Sequence, residues 1–450
     1  MSLPGLQRRP RPAGYRRQVR TQVPRPSRFG PSRFGPAPRP GSSLGLPPVR
    51  RGPAARGAAG AALRRAAGPR SPLRHLDWIL LAAVLALSLT GTLLVWSATQ
   101  SSLLQAGLSP RTYLIKQLLN IMIGLTFMVT VSTLAHRQLR LYAPFLYAGS
   151  CLGLLVVLTP LGSVVNGAHS WISLPGGFQI EPSEFAKIAV LLLVAMALCQ
   201  LTASAPGTGL ARPGLRAALL AIAAAALPIV LVEAEPDLGV IMLMITILMG
   251  MIAASGLRLR WLAALVAAGA LAVYAVIALH LLKAYQLSRL TSFLNPAADP
   301  RGTGYSAAQA KIAIGSGGLF GQGLFHGQLI AGNFVPEQHT DFIFAVAGEE
   351  LGFAGAALII GLLAVVLLRA LRIAARADDQ FGTLIAVGIA IWFAVQAFIN
   401  IGMTVGIMPV TGLPLPFVSY GGSAMFADMI AIGMLQSVHR RRTLFGTPAG

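Results

Sequence analysis

A short polar segment at residues 336–341 (PEQHTD) holds the side chains that are best suited to catalysis in this chain. Its last residue, Asp341, is followed at once by the apolar residues 342–344 (FIF), so its carboxylate is expected where a helix begins. Apolar neighbours raise the pKa of a carboxylate, whereas a helix N-terminus and nearby cations lower it. The sequence leaves two interpretations open for Asp341: a general base that accepts a proton, or an N-terminal helix cap.

A second charged pair, Glu184 and Lys187, opens another apolar run directly after Pro182 and Ser183. Residues three apart on a helix share one face, and charges inside an apolar helix need partners or a wet cavity. The two side chains can form a structural ion pair. Alternatively, Lys187 binds an anionic substrate group, or Glu184 shares a proton or a metal ion with Asp341.

The glycine-rich residues 315–318 (GSGG) could cradle a phosphate with backbone N–H groups, but they lack the GK[ST] of a P-loop. A tight loop explains the glycines equally well. His326 and His339 do not have a zinc-ligand spacing, so no cofactor is certain and a carboxylate-bound Mg²⁺ or Mn²⁺ ion stays open. Glu349 is eight residues from Asp341 and is expected on nearly the same helical stripe.

Composition excludes a soluble globular enzyme. Of the 450 residues, 55% are hydrophobic and 11% are charged, against about 25% charged residues in an ordinary soluble domain. Apolar runs of span length indicate an all-α, polytopic integral membrane protein. We predict ten spans, at about 78–97, 114–133, 142–160, 184–201, 216–232, 238–255, 261–282, 342–368, 382–406 and 418–438.

Charge is distributed unevenly along the chain. The segment 1–76 holds 17 arginines and no acidic residue, and its Pro, Gly, Ala and Ser content predicts disorder over residues 1–74. It contains no nucleic-acid reader module, so attraction to anionic membrane lipid is favoured over nucleic-acid binding. Twelve basic residues in one set of loops against six in the other place both termini in the cytoplasm.

The predicted organisation is therefore a basic tail (1–74), a ten-span membrane domain (75–439) and a short basic end (440–450). A long outer loop, 283–340, joins spans seven and eight, and long loops in compact domains tend to be functional. Eight of the 14 acidic residues fall on or beside the outer loops, namely Glu181, Glu184, Glu233, Glu235, Asp237, Asp299, Glu337 and Asp341. This gathering of carboxylates predicts a reaction or binding site on the outer face.

Several ordered motifs resemble the RodA/FtsW family, the shape, elongation, division and sporulation proteins. They are residues 167–172 (GAHSWI), 182–187 (PSEFAK), 236–239 (PDLG), Asn295-Pro296 with Asp299-Pro300, 336–344 (PEQHTDFIF) and 414–423 (PLPFVSYGGS). Residues 309–318, 325–327 and 400–403 look more like the elongation (RodA) branch. Two features depart from the family pattern: Glu181 stands where Gln is usual, and the long tail is not a family feature.

The resemblance implies a cell-membrane glycosyltransferase that polymerises lipid II into peptidoglycan during elongation, in complex with a class B penicillin-binding protein. It also implies that Asp341 is essential, as the base that deprotonates the acceptor sugar hydroxyl. The cations expected to stabilise the departing diphosphate are Lys187, Arg289, Lys116 and Lys311, and further substrate-binding residues are Glu184, His339 and Ser419. The alternatives left open are a polyprenyl-lipid flippase or transporter and a non-catalytic membrane scaffold.

Overall fold

The computed structural model describes residues 76–165, 168–174, 178–200, 214–280, 283–295, 299 and 302–445. The predicted tail 1–74 and the last part of the predicted basic end, 446–450, lie outside these ranges. So do Gly167, Pro296 and Pro300 of the motifs quoted above.

Helices make up most of the described chain. In order they are α1 (Trp78–Gln105), α2 (Thr112–Thr133), α3 (His136–Val157), α4 (Pro182–Gln200), α5 (Leu215–Ala234), α6 (Leu238–Ala254), α7 (Leu259–Ala278), α8 (Ala284–Leu294), α9 (Thr303–Ser316), α10 (Gln328–Ala331), α11 (Ile343–Glu350), α12 (Gly352–Ala375), α13 (Gln380–Val405) and α14 (Gly422–Phe445).

Eight helices in the described ranges are long and apolar enough to cross a membrane: α1 to α5, α7, α12 and α13. The helix α6, with 17 residues, occupies the sixth predicted span. The helix α14, which runs into the basic residues 440–442, occupies the tenth. The predicted polytopic helical architecture is confirmed.

The eighth predicted span is not continuous, so that boundary was wrong. The chain breaks between α11 and α12 at Gly352, whose φ of +68° is a left-handed conformation that favours glycine. A Cβ there would lie 2.2 Å from the backbone N of Gly321. The glycine-rich loop that follows α9, residues 317–323, packs directly against this break.

That loop supplies hydrogen bonds to both helix ends exposed by the break. The N–H groups of Gln322 and Gly323 donate to the carbonyls of Glu349 and Glu350, at 2.9 and 3.0 Å. The N–H of Phe353 donates at 2.9 Å to a carbonyl of the same loop. Helix ends need such partners, and the residues following GSGG use their polar backbone groups to provide them. Within residues 315–318, Gly315 and Ser316 end α9 and Gly317 is its C-cap, so the tight loop begins only at the end of this motif. The phosphate cradle stays a prediction.

A three-stranded antiparallel sheet, which the all-α prediction did not include, lies between α3 and α4. Its strands are β1 (Gly162–Val165), β2 (Ala168–Leu174) and β3 (Phe178–Ile180), in the order β1-β2-β3. Ile172 of β2 pairs with Gly162 on one side and with Ile180 on the other. Span-length hydropathy could not reveal it, because each strand is shorter than eight residues.

Small residues allow a close contact between α2 and α14. A Cβ on Gly433 of α14 would lie 2.7 Å from the carbonyl of Met128, and a Cβ on Gly124 of α2 would lie 2.9 Å from Met429. Close backbone approach at glycine is typical of membrane helix pairs. By contrast, α7 buries none of its residues against the described part of the chain.

Candidate functional site

Asp341 sits in a tight turn just before α11. The N–H groups of Thr340, Asp341 and Phe342 all donate to the carbonyl of Glu337, at 3.1 to 3.2 Å. The N-cap of α11 is Phe342, and no side chain makes the capping hydrogen bond. The cap interpretation of Asp341 is therefore wrong, and its partly buried carboxylate is left for other chemistry.

The segment 413–420 holds this turn in place. The Ser419 hydroxyl donates to the carbonyl of Thr340 at 2.5 Å and accepts from the N–H of Leu415 at 2.8 Å. The Asn400 side-chain amide donates at 2.8 Å to the carbonyl of Asp341 and at 2.8 Å to that of Leu413. Ser419 thus fixes the backbone that carries Asp341, and it is 5% exposed. Its role in substrate binding stays a prediction.

The surroundings of Asp341 raise its pKa to about 7. Burial is the main cause and the carboxylate of Glu337 is the next; the guanidinium of Arg289 opposes both, and Asp237 adds a smaller increase. A carboxyl group with a pKa near the working pH can both take up and release a proton. This position suits a general base.

Arg289 and Lys311 line one cavity, together with Met408, Pro409 and Val410. Arg289 donates to the carbonyl of Thr411 at 3.1 Å. Asp299 links α8, which carries Arg289, to α9, which carries Lys311. Its carboxylate accepts from Ser292 of α8 at 3.2 Å and from Thr303 of α9 at 3.3 Å. The cavity that these two cations line is small, with a volume of about 40 Å³.

Lys187 lies elsewhere, in the interior of the bundle. It is 0% exposed, and its ammonium pairs with Glu184 at 2.7 Å. It also lies 4.8 Å from the ring centroid of Trp392 and bonds Gln396 at 3.5 Å. The structural ion pair is the interpretation that this geometry supports; direct contact of Lys187 or Glu184 with a substrate is not.

Two further carboxylates, those of Glu181 and Asp237, lie within electrostatic reach of this pair. Glu181 accepts a hydrogen bond from Ser183 at 2.9 Å, and burial, Glu184 and Asp237 raise its pKa well above the usual range. Asp237 accepts from the N–H of Val240 at 3.1 Å as the N-cap of α6. The described residues nevertheless contain no group of three or more His, Cys, Asp or Glu side chains that could hold a metal ion.

His339 and Lys116 meet at one aromatic ring. The ring centroid of Tyr113 lies 5.1 Å from that of His339 and 5.8 Å from the Lys116 ammonium. Burial lowers the pKa of His339 below its usual range, so its imidazole is neutral at pH 7. Lys116 is therefore not part of the cavity that Arg289 and Lys311 line. The sequence had assigned all three of these cations to the departing diphosphate.

Glu349 does not join the site, although its spacing of eight residues from Asp341 predicted that the two would lie on nearly the same helical stripe. Its carboxylate accepts from the N–H groups of Leu329 and Ile330, at 2.8 and 3.1 Å. Residues that our sequence analysis did not assign to the site include Tyr113, Asn400 and Asp428. The last is a buried acid whose carboxylate accepts from Phe417 at 3.4 Å. A lone acid in an apolar span is a signal that could have identified it.

Comparison with known proteins identifies the family. The FtsW/RodA/SpoVE family model, described as a cell cycle protein, matches residues 77–444, so the chain belongs to this family. The resemblance read from the sequence motifs is confirmed, and the chain is a multi-pass membrane protein.

Curated relatives match most of the chain. The peptidoglycan glycosyltransferase MrdB of Escherichia coli is 38% identical over 370 residues, covering 82% of this chain and 95% of the relative. The peptidoglycan glycosyltransferase RodA of Treponema pallidum is 33% identical over 436 residues, covering 81% and 98%.

Two solved structures share the fold. A peptidoglycan synthase complex, described as coordinating polymerization and crosslinking, matches with a TM-score of 0.67 and 31% identity, over 83% of this chain and 99% of the other. The rod shape determining protein RodA of Thermus thermophilus matches with a TM-score of 0.58 and 29% identity, over 82% and 97%.

Proposed function

We propose that the protein is a peptidoglycan glycosyltransferase that polymerises lipid II, with Asp341 as its general base. The observation that carries this proposal is the carboxylate of Asp341, which does not cap α11 and whose pKa is raised to about 7. It lies within electrostatic reach of Arg289. The relatives and solved structures that share the family bear names from peptidoglycan synthesis.

The proposed reaction assigns a task to each group. Asp341 accepts the proton of the acceptor sugar hydroxyl, and the resulting oxygen bonds to the anomeric carbon of the donor. The bond from that carbon to the diphosphate breaks, and its electron pair leaves with the diphosphate. Arg289 and Lys311 stabilise the negative charge that gathers on this leaving group. Attack from the face opposite the diphosphate inverts the configuration.

The site residues of the bundle interior act indirectly in this proposal. The Glu184–Lys187 pair fixes α4, and Ser419 fixes the turn that carries Asp341. His339 belongs to a separate cavity beside Tyr113, and the Lys116 ammonium lies 5.8 Å from the centroid of the same ring.

We further propose that both termini are cytoplasmic, which puts Asp341 outside the cell membrane, where lipid II is polymerised. The excess of basic residues in one set of loops supports this orientation. A class B penicillin-binding protein of the elongation complex is the proposed partner, since the matching peptidoglycan synthase complex couples polymerization to crosslinking. The tail 1–74 is assigned to anionic membrane lipid.

The test is lipid II polymerisation by the purified complex, with the partner's transpeptidase site blocked. Asp341→Asn keeps the size of the side chain and removes the base, so the rate should fall by about 10² to 10⁴ or more. The matched control is Asp378→Asn, a change at an exposed carboxylate between α12 and α13, which should polymerise normally. Glycan chains of near-normal yield from Asp341→Asn would remove Asp341 from the mechanism. A wild-type complex that moves lipid II across vesicles without polymerising it would instead support the flippase alternative.

A further inference from the structure

A second cavity, with no lining residue in common with that of the cations, adjoins the 337–341 turn. It has a volume of about 390 Å³ and is bounded by the end of α1, by Tyr113 at the start of α2, and by residues 333–339. Small-ligand sites have volumes of about 300 to 1,000 Å³, so the groove, as we call this cavity, can hold a sugar unit or two.

One buried polar atom in the groove wall has no hydrogen-bond partner among the described residues. Gln338 is 5% exposed, and its amide N–H₂ lies 2.6 Å from the carbonyl of Ala98, 3.2 Å from that of Ile330 and 3.2 Å from the Asn333 side-chain oxygen. These three acceptors fix the orientation of the amide. Its oxygen, Oε1, remains buried and unbonded within the described chain. A buried acceptor without a donor is unfavourable. The atom has almost no exposed surface, so a ligand hydroxyl or amide N–H in the groove would reach it only if the Gln338 side chain shifted.

The charge of the groove argues against an anionic ligand. No Lys or Arg is among its lining residues; Lys116 contacts the Tyr113 ring at 5.8 Å without lining it. His339 lines the groove and is neutral at pH 7, because burial lowers its pKa. Glu337 adds a carboxylate to the wall. A diphosphate would find no cation among the lining residues of the groove, whereas Arg289 and Lys311 both line the other cavity.

The wall is held in a defined shape. Asn333 has a φ of +54° and Glu337 a φ of +49°, a conformation uncommon for residues other than glycine. Strained backbone of this kind clusters at ligand sites. The rings of Tyr113 and His339 meet edge to face at 71°, and aromatic faces of this kind can pack against the C–H face of a sugar. Thr99 and Ser102 also line the groove.

Both cavities adjoin the segments that flank Asp341. Glu337, Gln338 and His339 lead directly into Asp341 and line the groove. Pro409 and Val410 line the cation cavity, and two residues later a Cβ on Gly412 would lie 3.7 Å from the Asp341 carboxylate. A ligand in either cavity therefore lies beside the turn that carries Asp341.

We propose that the groove binds the acceptor saccharide, an uncharged N-acetylated sugar, while the cavity of Arg289 and Lys311 binds the diphosphate of the donor. The inference rests on the proposed polymerase function, because forming a glycosidic bond requires two sugar substrates and only one of them loses a diphosphate. The acceptor hydroxyl gives its proton to Asp341 from the groove side. The donor loses its diphosphate on the cation side.

The test uses two probes on the full chain in its complex. The first is an uncharged disaccharide of N-acetylglucosamine without diphosphate, carrying a photoreactive diazirine in one N-acyl group. The second is radiolabelled polyprenyl diphosphate without sugar. In the wild type, the disaccharide should crosslink to peptides from 98–113 and 333–339, and excess polyprenyl diphosphate should not displace it. This mapping does not depend on the folding of any variant.

Variants then separate the two cavities. Ala106→Trp puts a large ring at an exposed position of the groove lining and should lower disaccharide crosslinking at least tenfold, leaving polyprenyl diphosphate binding within twofold. The matched control, Leu104→Trp, changes an exposed residue of the same helix end outside the lining and should alter neither. Lys311→Met should weaken polyprenyl diphosphate binding alone.

Two results would overturn the assignment in a wild-type complex that polymerises lipid II. One is disaccharide crosslinking absent from the groove peptides. The other is loss of polyprenyl diphosphate binding, but not of disaccharide crosslinking, in Ala106→Trp. If the wild type forms no glycan, yet groove crosslinking is present and sensitive to Ala106→Trp, the proposed function fails and the saccharide site stands.

Discussion

At the scale of single residues, the protonation of Asp341 governs the proposed chemistry. Burial and Glu337 raise its pKa to about 7, and Arg289 limits the rise. A base must be ionised to accept a proton, so the active fraction is the fraction without a proton. It grows as the pH rises through 7 and shrinks below it.

The polymerisation rate should therefore fall about tenfold for each unit of pH below the pKa, and level off above it.

Replacing the cation with Arg289→Gln removes the group that lowers this pKa, so the same profile should shift to higher pH. The measurement is the initial rate on saturating lipid II across the neutral range. Lys283→Gln, at a cation that pairs with Glu233, should keep the wild-type profile. A rate independent of pH down to about 5 would argue against Asp341 as the base.

The buried pair of Glu184 and Lys187 makes a separate prediction about stability. Lys187→Met leaves a carboxylate buried without its partner, which costs about 3 to 5 kcal/mol. The double variant Glu184→Gln with Lys187→Met leaves no unpaired charge at the two positions and should recover much of that loss. Thermal unfolding in detergent measures both. If Lys187 binds substrate instead, the single variant should unfold like the wild type and lose only activity.

At the scale of elements, the break between α11 and α12 depends on glycines that differ in their surroundings. A Cβ on Gly317 would meet the carbonyl of Gly348 at 1.9 Å, whereas a Cβ on Gly315 would meet nothing within 4 Å. The two positions lie in the same GSGG motif, yet only one of them faces α11.

Gly317→Ala should therefore lower the midpoint of thermal unfolding, because the backbone of α11 must move to admit the methyl group. Gly315→Ala lies within α9 and should be neutral or slightly stabilising, since alanine favours helix over glycine by about 1 kcal/mol. Unfolding followed by circular dichroism compares them. Equal stability of the two variants, with equal losses of substrate affinity, would support the phosphate cradle.

At the scale of the whole molecule, orientation follows from basic residues spread over many loops. The segment 1–76 carries 17 of the 36 basic residues, but the remaining loops show the same bias without it. Deleting residues 1–70 should leave insertion and polymerisation largely intact, because the tail is expected on the opposite side of the membrane from Asp341.

The measurement is labelling of Leu319→Cys, an exposed position in the long loop, by a membrane-impermeant thiol reagent on intact cells. Labelling of the truncated chain should match that of the full chain. Movement of this position to the cytoplasmic side after truncation would show that the tail sets the orientation.

The sequence by itself determined the features that depend on local chain properties. Apolar run length indicated the helical spans, because crossing a membrane requires a minimum length of apolar helix. The motif at 336–341 indicated Asp341 as a functional candidate, because a carboxylate beside an apolar span is energetically costly and commonly has a functional role. The motif order indicated the family.

Tertiary structure decided which of these residues meet. Only packing shows that Lys187 is enclosed with Glu184, that Ser419 holds the Thr340 carbonyl, and that Gly352 breaks the eighth span. It likewise separated the cavity of Arg289 and Lys311 from the groove of Tyr113 and His339. These facts depend on contacts between residues far apart in the chain, and spacing along a sequence does not encode the distance between two helices once they pack.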